Sequence, residues 1–135
     1  MIGAALRFVR LAGLAWSLSH DVALSIDVAR DAIEATGDAW EQDWVISWCF
    51  RESRWRADAV DPTGRTFGSC QVDAFSWGPV PETRVAQFEQ AVSVLRTLKD
   101  AYGTRRRALN AYASGKPDLN LTLVTERCAL IGGLE

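Results

Sequence analysis

The stretch WVISWCFRESRWRADAVDPTGRTFGSCQVD, Trp44 to Asp73, places one glutamate, Glu52, at the end of an aromatic-rich run and follows it with a turn and a second cluster of glycines. Residues Asp38 to Arg54 read as a helix. Val45, Trp48 and Cys49 on it and Trp55 just beyond it lie three, four or seven positions from Glu52, so its carboxylate is expected to share the apolar, aromatic face. Burial disfavours the charged form of a carboxylate, and the negative end of the helix dipole acts in the same direction, which favours a proton donor. Arg51, Arg54 and Arg56 lie close by. Arg51 and Arg54 sit about 100° and 200° around the helix from Glu52, and long cationic side chains usually extend into water, so they are expected to point away from it. The rival reading is an ion pair at the edge of the core.

Outward from this stretch, the periodicity is mostly helical. Leu6, Val9, Ala12 and Trp16 recur at helical intervals, as do Leu24, Val28 and Ile33, which predicts two helices before Gly37. From Asp61 to Val80, Pro62, Gly64, Gly68, Gly78 and Pro79 break the chain into turns and at most short strands. Val85, Phe88, Val92, Leu95, Leu98 and Tyr102 form the stripe of a long amphipathic helix that Gly103 can end. A shorter helix runs from the N-cap Thr104 past Leu109 and Tyr112 to Gly115 and Pro117. Leu121, Val124, Cys128 and Ile131 predict a last one. The expectation is a mainly α, single-domain protein of 135 residues, with N-terminal helices over 1–37, a core carrying the motifs over 38–117 and a C-terminal helix over 118–135.

Composition narrows the function. With 15 Lys and Arg against 17 Asp and Glu, the balance of −2 argues against a protein devoted to nucleic-acid phosphates. Cys49, Cys70 and Cys128 are an odd number at wide spacing and form no metal motif. They read first as buried small apolar groups, with a disulfide such as Cys49 to Cys70 left open. Arg7 and Arg10 before an apolar run resemble a signal peptide, but no small-residue cleavage site follows, and charges interrupt every window long enough to span a membrane. No GxSxG, HExxH or phosphate loop is present, and the single histidine, His20, lies outside the motifs. A Cys/His or zinc-dependent attack on peptide bonds is therefore poorly supported.

The segments ESRWRADAV and DPTGRTFGSCQVD resemble the signature of the soluble lytic transglycosylase and goose-type lysozyme superfamily. There a catalytic Glu-Ser pair leads to a glycine turn and a Gly-x-x-Gln segment, here Glu52, Ser53, Gly64, Gly68 and Gln71. Downstream, ALNAYASG is similar to that superfamily's third motif, with Tyr112 and Gly115 on family positions. The likeness spans roughly Asp38 to Pro117. Two positions depart from it: Ala113 stands where Asn is common and Cys70 where Met is common.

The resemblance implies a lysozyme-like α+β domain: a catalytic helix, a short irregular or β segment and several C-terminal helices. It implies cleavage of the β-1,4 bond between N-acetylmuramic acid and N-acetylglucosamine, with Glu52 as general acid and base and Tyr112 orienting it. A lytic transglycosylase is the first expectation. A muramidase would add Asp73 or Asp61 as second carboxylate, although Asp61 in Asp-Pro-Thr-Gly also reads as turn chemistry. Ser53, Gly68 and Gln71 are candidate substrate contacts, and Trp55, Phe75 and Trp77 candidate stacking surfaces. Arg105 to Arg107 read as a solvated face. The expected partner is the peptidoglycan glycan strand, met as a monomer, without cofactor, metal, nucleic acid or stable membrane insertion. Action at the bacterial cell wall is expected, from a phage-encoded protein made in the cytoplasm or carried on the virion, in preference to one exported by its N-terminal segment. A wall-binding or virion-structural protein that shares the fold without turnover is the non-enzymatic alternative.

Overall fold

In the computed structural model, which describes residues 2–118 together with 124, 132 and 134, every helix start from the second onward is set by a side chain the sequence supplies for it. Helix α1 runs Ile2–Ser19 and α2 runs Val22–Ala35, with the Asp21 carboxylate accepting from the Leu24 amide. Asp38 caps α3 (Ala39–Ser53) through the Glu41 amide. Thr83 caps α5 (Arg84–Tyr102) and Thr104 caps α6 (Arg105–Ser114), each hydroxyl taking one of the amides that a helix start leaves without a partner. Gly103 and Gly115 close these last two helices at positive φ, as their positions predict.

The helix α3 is the centre of the molecule. Trp44, Val45, Ile46, Trp48 and Cys49 are all fully buried, so α3 is apolar around most of its circumference and is packed from several sides. Leu11 and Ala15 of α1, Val28, Ala29 and Ala32 of α2, Phe88, Val92 and Leu95 of α5, and Ala108 and Leu109 of α6 complete the same core. Trp44 and Trp48 each meet the Tyr112 ring edge-on, with centroids 5.9 and 5.5 Å apart. Truncating either tryptophan would remove roughly 3–5 kcal/mol of packing.

One carboxylate fastens three helices. Glu41 accepts from the Thr36 hydroxyl at 2.6 Å and from the Arg96 guanidinium at 2.6 and 2.8 Å, which joins the end of α2, the start of α3 and the middle of α5. Two-point binding of a carboxylate by arginine fixes direction as well as distance. Gln42 adds a 2.6 Å bond to the Thr36 carbonyl.

Between α3 and α5 the chain forms a two-stranded antiparallel hairpin, β1 (Thr66–Phe67) and β2 (Val72–Asp73), followed by the single turn α4 (Ala74–Trp77). Thr66 faces Asp73 and Phe67 faces Val72. The mainly helical expectation is met. One detail stands out: of Leu6, Val9, Ala12 and Trp16, which mark α1 in the sequence, Ala12 packs against the core while the other three lie exposed, and Leu11 and Ala15 are the fully buried side of α1. Both faces of this helix are apolar, and only packing chooses between them. Of the C-terminal helix expected over 118–135, only Asp118, Val124, Gly132 and Leu134 are among the described residues, with Val124 and Leu134 buried in the core, and Cys128 lies outside them.

Candidate active site

Glu52 occupies the penultimate position of α3 and is half-buried, while its helical neighbours Val45, Trp48 and Cys49 are fully enclosed. It lines an open cavity of about 380 Å³ together with Phe50, Arg51, Ser53, Arg54 and Arg56. The three arginines are exposed, as expected, but they border the same cavity as Glu52 rather than leaving it. The reason lies in how α3 ends. Arg54 and Trp55 both adopt left-handed backbone, φ 56° and 62°, and turn the chain back across the helix terminus. Two consecutive residues in this region are costly for side chains with a Cβ. Burial of Trp55 holds them there: the residue is 2% exposed and its Nε1 donates to the Ile46 carbonyl at 2.7 Å. Trp55 is therefore a core residue, and the stacking role expected of it is withdrawn.

Ser53 joins the helix to the hairpin. Its hydroxyl donates to the Ser69 carbonyl at 2.7 Å and accepts from the Arg56 amide at 3.0 Å. Beside it, Cys49 and Cys70 form a disulfide, which replaces the first reading of these two thiols as free core groups. Tyr112 donates its hydroxyl to the Cys70 carbonyl at 2.9 Å. The three sequence motifs therefore meet: the end of α3, the hairpin tip and α6 are cross-linked at Ser53, Cys70 and Tyr112.

The hairpin tip has its own requirements. Gly68 sits at φ 81°, and a Cβ there would lie 2.7 Å from the Gln87 side chain. Gln87, buried on α5, accepts from the Ser69 amide and donates to the Ala57 and Pro81 carbonyls, riveting three loop segments together. This residue was missed. The available signal was a polar residue four and seven positions before Ala91 and Val94 on a buried helix face. Gln71 accepts from the Thr66 hydroxyl at 2.7 Å and donates to the Gly68 carbonyl at 2.9 Å, so its amide serves the loop rather than standing ready for an N-acetyl group.

The other carboxylates are structural in their contacts. Asp61 accepts from the Thr63 hydroxyl and from the Arg65 and Thr66 amides; with the Thr63 bond as the main cause and the Thr66 amide next, its pKa falls to about 2. Asp73 caps α4 through the Phe75 amide at 2.9 Å and binds Arg65 at 2.8 Å and the Ser76 hydroxyl at 3.1 Å. Desolvation pushes its pKa up, but the Arg65 bond, the Phe75 amide and the Ser76 hydroxyl outweigh it and hold the group below the usual carboxylate value. Phe75 is exposed under the Arg65 guanidinium, and Trp77 is half-buried against the core. Arg105 to Arg107 are half-buried, not a solvated face: Arg105 stacks over Trp40 with its guanidinium carbon 4.0 Å from the ring centroid, and Arg107 reaches the Tyr102 carbonyl and Asp118.

No group of His, Cys, Asp and Glu suited to a metal ion occurs among the described residues, and no described helix is long and apolar enough to cross a membrane. Comparisons with protein-family models, curated proteins and solved structures give no match.

Proposed function

We propose that this chain is a peptidoglycan-cleaving glycosidase of lysozyme-like fold, a lytic transglycosylase in which Glu52 is the general acid and base. The observation that carries the reading is the meeting of the three motifs, with Glu52 on an open cavity beside the Ser53, Cys70 and Tyr112 cross-link. In the proposed reaction, protonated Glu52 gives its proton to the glycosidic oxygen as the bond to C1 of N-acetylmuramic acid breaks. The resulting carboxylate then takes the proton of the muramoyl 6-hydroxyl as that oxygen closes on C1, giving a 1,6-anhydro product without water.

The one-carboxylate route is supported by the state of Asp73, whose oxygens are already engaged by Arg65, Phe75 and Ser76. The same contacts keep Asp73 ionised, which is the observation that favours a muramidase as second reading. Ser53 and Tyr112 act in this scheme by holding the helix end against the hairpin.

The test is mass spectrometry of purified peptidoglycan digested in parallel by wild type and Glu52→Gln. The amide keeps the volume but transfers no proton, so turnover is expected to disappear while thermal unfolding stays close to that of the wild type. Anhydromuramoyl ends dependent on Glu52 support the transglycosylase. Reducing-end muramic acid would transfer the proposal to the muramidase, and absence of products from folded wild type would replace it with a wall-binding role.

A further inference from the structure

Around the cavity at Glu52 the charges are unevenly matched. Arg10, Arg65, Arg84, Arg96 and Arg107 each reach a carboxylate within 4 Å. Arg51, Arg54 and Arg56 are in no ion pair among the described residues, and all three stand on one cavity whose lining includes a single carboxylate. In a chain of net charge −2 this is a local excess of positive charge. Cations near a helix C-terminus are favoured by its dipole, which accounts for Arg51 in the last turn. Arg54 at the C-cap and Arg56, whose Nε donates to the Ser53 carbonyl, share in that effect, but a helix end of roughly half a negative charge does not match three guanidinium groups.

The position of these groups is built in. The left-handed pair Arg54 and Trp55, locked by the buried indole, sets the path of the chain. Arg56 is anchored by its amide on the Ser53 hydroxyl and by its Nε on the Ser53 carbonyl at 3.1 Å. Arg54 lies 6.0 Å from the Phe50 ring centroid. Phe50 and Arg54 also line a neighbouring cavity of about 350 Å³ with Leu18, His20, Asp21 and Leu24, where the Asp21 carboxylate balances Arg54, so the excess of positive charge belongs to the cavity at Glu52. Guanidinium groups suit planar oxyanions, which they bind through paired N–H donors.

We infer that Arg51, Arg54 and Arg56 form a subsite for carboxylates carried by the glycan strand, those of the lactyl-linked peptide stems, placed next to the bond that Glu52 cleaves. The inference rests on the proposed function for the identity of the polymer, and it makes the chain selective for peptide-bearing strands over uncharged ones. Phosphate on attached wall polymers presents similar oxyanion chemistry, so the polymer used in the test is first stripped of phosphate by hydrofluoric acid.

The experiment is co-sedimentation of Glu52→Gln, which leaves the polymer intact, with stripped peptidoglycan and with the same material after its carboxylates have been amidated. Amidation is expected to weaken binding on the order of tenfold, from up to about fivefold for each exposed charge pair lost. Adding Arg51→Gln, Arg54→Gln and Arg56→Gln should lower binding to the native polymer to the same level and cause no further loss on the amidated one. The corresponding triple lysine variant keeps the charge but not the paired donors and should bind between the wild-type and glutamine levels, which separates charge from folding, and Arg30→Gln, on the exposed side of α2, should leave binding unchanged. Equal binding to native and amidated polymer, or undiminished binding of the folded triple glutamine variant, overturns the inference. Restoration of binding only when phosphate polymers are retained overturns it in favour of phosphate. Because sedimentation requires no turnover, these outcomes are independent of whether digestion products appear.

Discussion

Two residues at the hairpin tip show how much a single side chain decides. Gly68→Ala would force a Cβ into left-handed backbone and onto Gln87, which cannot yield without giving up bonds to Ser69, Ala57 and Pro81. The expected loss is roughly 2–3 kcal/mol, read from denaturant unfolding. Tyr112→Phe removes the bond to the Cys70 carbonyl and should cost about 1–2 kcal/mol. It should slow peptidoglycan turnover less than Glu52→Gln, as measured by product release; an unchanged rate would return Tyr112 to the core alone. That the segments carrying Glu52, Ser53 and Tyr112 belong together was legible in the order of their motifs; the bonds that Ser53 and Tyr112 make to the hairpin were not. Gln87 was not, since its role depends on loops distant in sequence converging on one amide.

Among the elements, the junction of α3 with the hairpin is the one on which the candidate site depends. The disulfide closes a segment of sequence separation 21, for which chain entropy alone gives about 3 kcal/mol. Replacing both Cys49 and Cys70 by Ala should lower the melting temperature and peptidoglycan turnover together while far-UV circular dichroism keeps its helical signal, because the helices hold one another through Glu41 and the shared core. Full activity in that variant would show that the hairpin is held well enough by Ser53 and Tyr112. The start of α3 was readable at Asp38, the end of α5 at Gly103 and both ends of α6 at Thr104 and Gly115, since capping is a local interaction; the Thr83 cap of α5 and the Arg54 turn that ends α3 emerged from the structure. The inward face of α1 was not readable, because a helix apolar on two sides carries no local mark of which side will be covered.

At the scale of the whole molecule, acid stability follows from Asp61 and Asp73. Both have folded-state pKa values below the unfolded value of 3.8, Asp61 at about 2. A depressed folded pKa contributes stability that is fully present above the unfolded pKa and is lost as pH falls through the folded one. Stability should therefore decline between about pH 4 and pH 2, and Asp61→Asn together with Asp73→Asn should flatten that decline, as followed by urea unfolding at a series of pH values. An equally steep decline in the double variant would assign the acid limb to other carboxylates.

The sequence by itself determined the helical character of the chain, the ends of its main helices and the three motifs, because periodicity and capping act over a few residues. Only tertiary structure decided that Cys49 pairs with Cys70, that Trp55 is enclosed, that Gln71 is taken up by its own loop and that three arginines gather at the cavity of Glu52. The disulfide, the enclosure of Trp55 and the gathering of the arginines depend on the chain turning back at Arg54 and bringing the hairpin onto the end of α3, while Gln71 is held within the hairpin by Thr66 and Gly68. That path is fixed by burial and by bonds between residues far apart in sequence, which no local pattern encodes.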